Sequence, residues 1–282
     1  MKNPNQIPTT LITGVSTGIG LTTARYLLQR GQRVYGSVRG EVPEELAREA
    51  NFIALQFDVT DRQAIRAAIQ RITNDGHPLT SLVNNAGVAI TGPVETIGET
   101  QYRKQFEVNV FGLIAVTQEA LPLLHAAREA GHSPRIINVG SVSGYLTSPF
   151  TTLYSASKFA VEALTDGLRR ELMPFGIDVI SIAPGPVKTP IWRKGRQQTE
   201  AFEGTRYADV LEKLGPYTEA AEAGGVAPEM VAAAIYRALT SDKPKPNVLV
   251  MRQSWLVRVL QFTPKRLQDK FFRKRLAENR RY

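Results

Sequence analysis

The chain has 282 residues, 43% of them hydrophobic, enough to bury one large core in a single domain. It contains no cysteine, which excludes a disulfide framework, a thiolate nucleophile and a cysteine-based metal site, and favours an intracellular, cytoplasmic location. The net charge of +9 is uneven: residues 252–282 hold ten Lys/Arg against two Asp/Glu, leaving a near-neutral body that excludes nucleic acid as a partner.

The N-terminus, MKNPNQIPTT, is polar and runs straight into the first apolar segment, with no room for a signal core. No run approaches the roughly 18–20 apolar residues of a membrane span. From there, short β-branched runs alternate with helix-period segments. The runs are TTLIT (9–13), RVYGSV (33–38), FIALQF (52–57), SLVNN (81–85), RIINVG (135–140), DVISIA (178–183) and NVLVM (247–251). The alternation predicts an α/β, Rossmann-like, doubly wound parallel sheet of about seven strands with helices on both faces. Residues 1–251 then form one domain, in which the long interval at about 186–246 is where a substrate loop fits. Residues 252–282 form a basic amphipathic extension.

The first strand feeds TGVSTGIG and then the helical LTTARYLLQR. In that context Gly14, Ser16, Thr17, Gly18, Ile19 and Gly20 are a candidate pyrophosphate cradle at a helix N-terminus. The spacing is G-x-x-x-G-x-G, not the G-x-G-x-x-G of the general dinucleotide fingerprint. Further on come NNAG (84–87), Asn109 in FEVNVFG, Ser141 in NVGSVSG, Tyr154 and Lys158 in YSASK, and PGPVKTP (184–190).

These motifs, in this order over residues 9 to about 251, resemble the short-chain dehydrogenases/reductases, and most closely the steroid/retinol dehydrogenase-like members. The resemblance implies an oxidoreductase that interconverts a secondary alcohol and a ketone by hydride transfer with a nicotinamide cofactor. It also implies a homodimer or homotetramer, through helices around 101–130 and 152–173. Asp58 and Val59 match positions that flank the adenine. Asn85, Ala86 and Gly87 match the turn that lines the cofactor, and Pro184, Gly185, Val187 and Thr189 match positions at the nicotinamide.

The second strand ends in Val38 and Arg39, where a carboxylate would favour NAD and a guanidinium accepts the NADP 2′-phosphate. NADP(H) is therefore favoured, with NAD(H) as the second option and Glu41 as a rival partner for Arg39. Tyr154 and Lys158, four apart, share a face if residues 152–173 are helical. An unperturbed tyrosine, with a pKa of about 10, ionises too weakly near neutral pH, and a nearby ammonium would lower that value. Ser141, thirteen residues before Tyr154, would hold the substrate oxygen against it, with Ser143 as its rival. By the resemblance, Lys158 and Tyr154 also bind the cofactor, and Asn109 holds a water in a proton relay. His77, His125 and His132 show no metal-ligand spacing, so no metal site is expected.

Tyr145, Phe150 and Trp192, with Ser141 and Tyr154, make a mostly apolar surround for the substrate, expected to be of steroid, retinoid or lipid-like kind. The tail reads as two short helices divided at Thr263-Pro264, with Thr263 as N-cap; it is a candidate cover for the substrate pocket or a partner subunit with a solvated basic face, and alternatively for peripheral membrane contact. The alternative reading of the whole chain is a catalytically idle dinucleotide-binding sensor or scaffold.

Overall fold

The computed structural model describes residues 7–189, 204–212 and 223–277. Seven strands form one parallel sheet: β1 (Thr9–Ile12), β2 (Arg33–Val38), β3 (Phe52–Gln56), β4 (Ser81–Asn84), β5 (Arg135–Val139), β6 (Asp178–Pro184) and β7 (Asn247–Val250). Each falls within a residue of the apolar run that predicted it. The spatial order is β3-β2-β1-β4-β5-β6-β7, so the winding reverses between β1 and β4. In an open parallel sheet that reversal opens a crevice beyond the carboxyl ends of the strands, where ligands bind.

The helices that accompany the sheet include α1 (Gly18–Leu28), α2 (Glu44–Ala47), α3 (Arg62–Asn74), α4 (Glu99–Phe106), α5 (Gly112–Glu129), α6 (Thr152–Leu172), α7 (Pro228–Thr240), α8 (Ser254–Phe262) and α9 (Lys265–Ala277). Successive side chains of a strand point to opposite faces, and the strands here are apolar at both parities. Ile12, Val34, Val83, Ile137 and Ile180 accordingly join a core with Ala24 and Leu27 of α1 and Val231 and Ile235 of α7. Their neighbours Leu11, Tyr35, Leu82, Ile136 and Val179 join a second core with Ile65 of α3 and Val116, Ala120 and Leu124 of α5.

Local signals set the helix ends. Asp61 caps α3 by accepting from the Ala64 N–H at 3.0 Å, and Pro228, which has no N–H to leave unpaired, opens α7. The helices α4 and α5 are continuous through one π-helical turn, Glu107–Phe111, which carries Asn109. The stretch Glu99–Glu129 is long and apolar enough to cross a membrane by composition alone, yet Val116, Ala120 and Leu124 are fully buried in the second core. Thr263 separates α8 from α9 as expected but does not cap α9. Its hydroxyl donates back to the Leu260 carbonyl at 2.7 Å, and the Pro264 carbonyl accepts the first N–H bonds of α9.

Candidate active site

The carboxyl ends of the strands open into a cavity of about 680 Å³, within the usual size range of small-molecule sites. One end is built from the glycine turn. Gly14 and Gly18 adopt left-handed φ angles of 73° and 62°, open to glycine at little cost. They line the cavity with Ser16, Thr17 and Ile19. Thr17 is the N-cap of α1 but makes no side-chain cap bond, and the first turn holds no acidic residue. The positive end of the helix is thereby left to an anion.

Gly20 has a different role from the one its motif suggested. It is not on the cavity wall. A Cβ there would lie 2.2 Å from the Gly14 carbonyl oxygen and 2.5 Å from Asn85 Nδ2, so Gly20 is glycine because the turn folds back against its own helix. Asn85 clamps that turn: its amide donates to the carbonyls of Thr13 (2.8 Å) and Gly14 (3.0 Å). Asn85, Ala86 and Gly87 do border the cavity, as expected, as do Asp58 and Val59.

Arg39 also lines the cavity, and its ion pair is with Asp58 at 3.5 Å, with none to Glu41 among the described residues. Against the burial that would raise it, the Asp58 carboxyl is held below its ordinary value by the Thr60 N–H and hydroxyl and by Arg39. The cavity thus presents a helix N-terminus and a guanidinium at one end, a donor set that fits a phosphorylated dinucleotide.

Pro184, Gly185, Val187 and Thr189 line the same cavity as Ser141, Tyr154 and Lys158, and Thr189 lies beside Gly18 of the glycine turn. Ser141 follows β5 by two residues and caps a 3-10 turn, Val142–Gly144, by accepting from the Ser143 N–H at 3.1 Å. This register puts Ser141 on the cavity wall and leaves Ser143 off it. Tyr154 and Lys158 project from α6, both 7% exposed, with Lys158 Nζ donating to the Val139 carbonyl at 2.9 Å.

The charge balance differs from the sequence expectation. Burial raises the Tyr154 phenol above its ordinary value, and its hydrogen bond with Ser141 opposes this without cancelling it. Burial pulls the Lys158 ammonium down to about 8, opposed by Glu162. In the protein alone, desolvation outweighs any lowering of Tyr154 by Lys158, whose Nζ stands 6.0 Å from the phenol ring centre.

Asn109 lies behind this wall and is not part of it. Its Oδ1 accepts from the Val88 N–H at 2.8 Å, and its Nδ2 donates to the Val88 carbonyl (2.9 Å) and Ser157 Oγ (3.0 Å). The amide braces the loop after β4 against α6, so any part in a proton relay is indirect.

Two of the expected substrate residues are elsewhere. The Tyr145 hydroxyl donates to Glu162 at 2.7 Å, turned away from the cavity. Phe150 has a φ of 63°, the one non-glycine residue among those described with a positive φ, and its ring meets Tyr207 edge-on at 6.2 Å. Trp192 lies outside the described residues. Sequence reasoning missed Val88, Ala89 and Ile90 and also Thr100, Gln101 and Lys104 of α4, which line the cavity too. It also missed Glu162, whose signal was its spacing: Tyr154, Lys158 and Glu162 recur every four residues on one helical face.

Residues 8–200 match the short chain dehydrogenase family. The protein belongs to that family. As a short-chain dehydrogenase it is an NAD(P)-dependent oxidoreductase. The chain is 37% identical over 274 residues, 95% of this chain and 97% of the relative, to an NADPH-dependent 3-dehydrocapnine reductase of Ornithobacterium rhinotracheale. It is 32% identical to a 3-ketodihydrosphingosine reductase of Bacteroides thetaiotaomicron, covering 83% of this chain and 84% of that one. Among solved structures, a short-chain dehydrogenase from Streptomyces avermitilis superposes with a TM-score of 0.77 at 29% identity, over 97% of each chain.

Proposed function

We propose that this short-chain dehydrogenase is an NADP(H)-dependent reductase that interconverts an apolar ketone and its secondary alcohol, with Tyr154 as general acid/base. The observation that carries the reading is the single cavity that joins Ser141, Tyr154 and Lys158 at one end to the α1 N-terminus and Arg39 at the other. When bound, the reduced nicotinamide supplies the hydride. The chain's residues position and protonate. The Ser141 hydroxyl holds the carbonyl oxygen, and Tyr154, kept protonated by burial, gives it a proton. Lys158, which lines the same cavity, would hold the ribose of the bound cofactor and supply a positive charge near that oxygen. Asn109 holds the loop that carries Val88. Pro184, Gly185, Val187 and Thr189 would border the nicotinamide, Asp58 and Val59 the adenine, and Arg39 would take the 2′-phosphate.

NADP(H) in preference to NAD(H) is supported by Arg39 and by the cofactor in the name of the Ornithobacterium relative. The relatives' named substrates, 3-dehydrocapnine and 3-ketodihydrosphingosine, support the lipid-like end of the apolar range over steroids and retinoids. Val88, Ala89 and Ile90 supply an apolar wall, and Thr100, Gln101 and Lys104 a polar one for a head group. The idle-sensor alternative is not favoured, since a sensor has no use for Ser141, Tyr154 and Lys158 on one wall.

The catalytic domain then spans residues 1–251 and works in the cytoplasm. Phe111 of the π-helical turn before α5 and Phe159 of α6, 53% and 43% exposed, support a homo-oligomer through these helices. The tail is a peripheral membrane contact: Trp255, Val259 and Phe262 stand one above another on α8, 63%, 52% and 83% exposed, with Arg252 and Arg258 at their flanks.

The test is NADPH consumption with 3-ketodihydrosphingosine, a steroid ketone and a short aliphatic ketone, against Tyr154→Phe. The long-chain ketone should be turned over with the highest kcat/KM, and only by the wild type. Consumption that persists in Tyr154→Phe, or none with any ketone, would overturn the reading.

A further inference from the structure

Behind the reactive wall lies a second charged group. Glu162 is on the same face of α6 as Tyr154 and Lys158, and its carboxylate is fixed at both oxygens. Oε1 accepts from Ser181 Oγ of β6 at 2.8 Å, and Oε2 from the Tyr145 hydroxyl at 2.7 Å. The space for it is kept by two glycines. A Cβ on Gly140, which lines the cavity, would fall 2.1 Å from Oε1, and one on Gly144 would meet Glu162 Cγ at 2.9 Å and the Lys158 carbonyl at 2.8 Å.

Burying a carboxylate costs several kcal/mol unless it is paired or hydrogen-bonded. Tyr145 and Ser181 provide the hydrogen bonds; with Lys158 they oppose, without cancelling, the burial that raises the Glu162 carboxyl above its ordinary value. A neighbouring charge is provided by Lys158, one helical turn back, which is itself buried and makes a hydrogen bond only to the neutral Val139 carbonyl among the contacts described. Around Lys158 stand Tyr154 and Glu162 from α6, the Val139 carbonyl from β5, and Asn109 Oδ1 beyond Gly87. Around Glu162 stand Tyr145, Ser181, Lys158 and Asp166, and Asp166 is paired with Arg169 at 2.6 Å.

We propose that Glu162 is a positioning residue for Lys158: the buried carboxylate, held by Tyr145 and Ser181, is the counter-charge that keeps the Lys158 ammonium protonated beside the cavity. The proposal deepens the reductase reading and rests on it for its catalytic consequence. The electrostatic part stands on the protein alone. Burial pulls the Lys158 ammonium down to about 8, and Glu162 is the group that opposes the fall. Without the anion, Lys158 would lose its proton nearer to neutral pH.

The test reads Lys158 directly. Lysine side chains carrying 13C at Cε are titrated by NMR in the cofactor-free protein, with the Lys158 signal assigned by its loss in Lys158→Met. Glu162→Gln should lower the Lys158 midpoint by about half a pH unit or more. Tyr145→Phe, which keeps the carboxylate but removes one donor, should lower it by less, and Glu162→Asp should restore part of the shift. The high-pH limb of kcat/KM for ketone reduction should move in the same order. If the midpoints agree within about 0.2 units in both Glu162→Gln and Tyr145→Phe, while the unfolding temperature falls, Glu162 is only a packing group and the proposal fails. A shifted midpoint in a protein that reduces no ketone would instead sink the reductase reading and leave the charge pairing intact.

Discussion

The Arg39 guanidinium stands 3.5 Å from the Asp58 carboxylate at the edge of the cavity, with 65% of the arginine side chain in solvent. An exposed pair of this kind contributes little to stability, so the arginine remains available to a phosphate. Arg39→Ala should raise KM for NADPH about 10- to 100-fold, the weight of one or two charge-assisted bonds, and leave KM for NADH within about twofold. Steady-state kinetics with both cofactors decide it, and an equal change for the two would remove Arg39 from phosphate recognition.

Two glycines should respond in opposite senses to one added methyl group. Gly20→Ala drives a Cβ to 2.2 Å from the Gly14 carbonyl, a backbone atom that cannot swing aside, and should cost about 1–3 kcal/mol with loss of cofactor affinity. Gly167→Ala, inside α6, meets nothing nearer than Glu171 Oε1 at 4.0 Å and should stabilise by about 0.5–1 kcal/mol. Thermal unfolding of the two variants gives both signs.

Ketone reduction should be flat with pH below neutrality and fall as the pH passes about 8. The sign follows from burial: a lysine with a lowered pKa loses its charge at a lower pH than an ordinary lysine, near 10.4, while Tyr154, pushed upward, keeps its proton throughout. Substituting Lys158→Arg, whose guanidinium does not deprotonate in this range, should abolish the fall near pH 8 in whatever activity remains. A limb that stays in place would assign it to another group.

A chain ending at residue 251 should lose binding to phosphatidylglycerol vesicles while the full chain co-sediments with them, and neither should bind phosphatidylcholine. Trp255→Ser with Phe262→Ser keeps both helices and should weaken binding similarly. Raising the salt should weaken the full chain's binding, as an electrostatic attraction to lipid requires. Equal sedimentation of full and shortened chains would end the membrane proposal.

The sheet was legible because each strand is a short aliphatic run and each crossover a helix-period segment, signals that survive without tertiary information. Tyr154 and Lys158 were legible for the same reason: one helix suffices to bring them together. What sequence could not supply was direction. The chain leaves Ser141 through a 3-10 turn and passes Phe150 with a left-handed backbone, and this path turns Tyr145 to Glu162 and Phe150 to Tyr207. Gly20 counted as a binding glycine until its distance to Asn85, sixty-five positions away, showed it to be a packing one. Asn109 was legible as a motif residue, but its partner Val88 lies across a loop whose return no local pattern encodes. Glu162 escaped notice because a charge on an amphipathic helix is usually solvated.

The pairing at the centre of the sheet also governs how the molecule is made. Thr10 of β1 sits beside Ser81 of β4, and the Thr9 N–H donates to Thr80 Oγ1 across 71 positions. At translation speeds of about 5–20 residues per second, β1 waits roughly 4–14 s for that neighbour. Through that interval it has only β2 on one side and an open edge on the other. The glycine turn therefore emerges well before Lys158 and before Pro184 to Thr189, and a chain stalled before residue 81 is the species most exposed to edge-to-edge association.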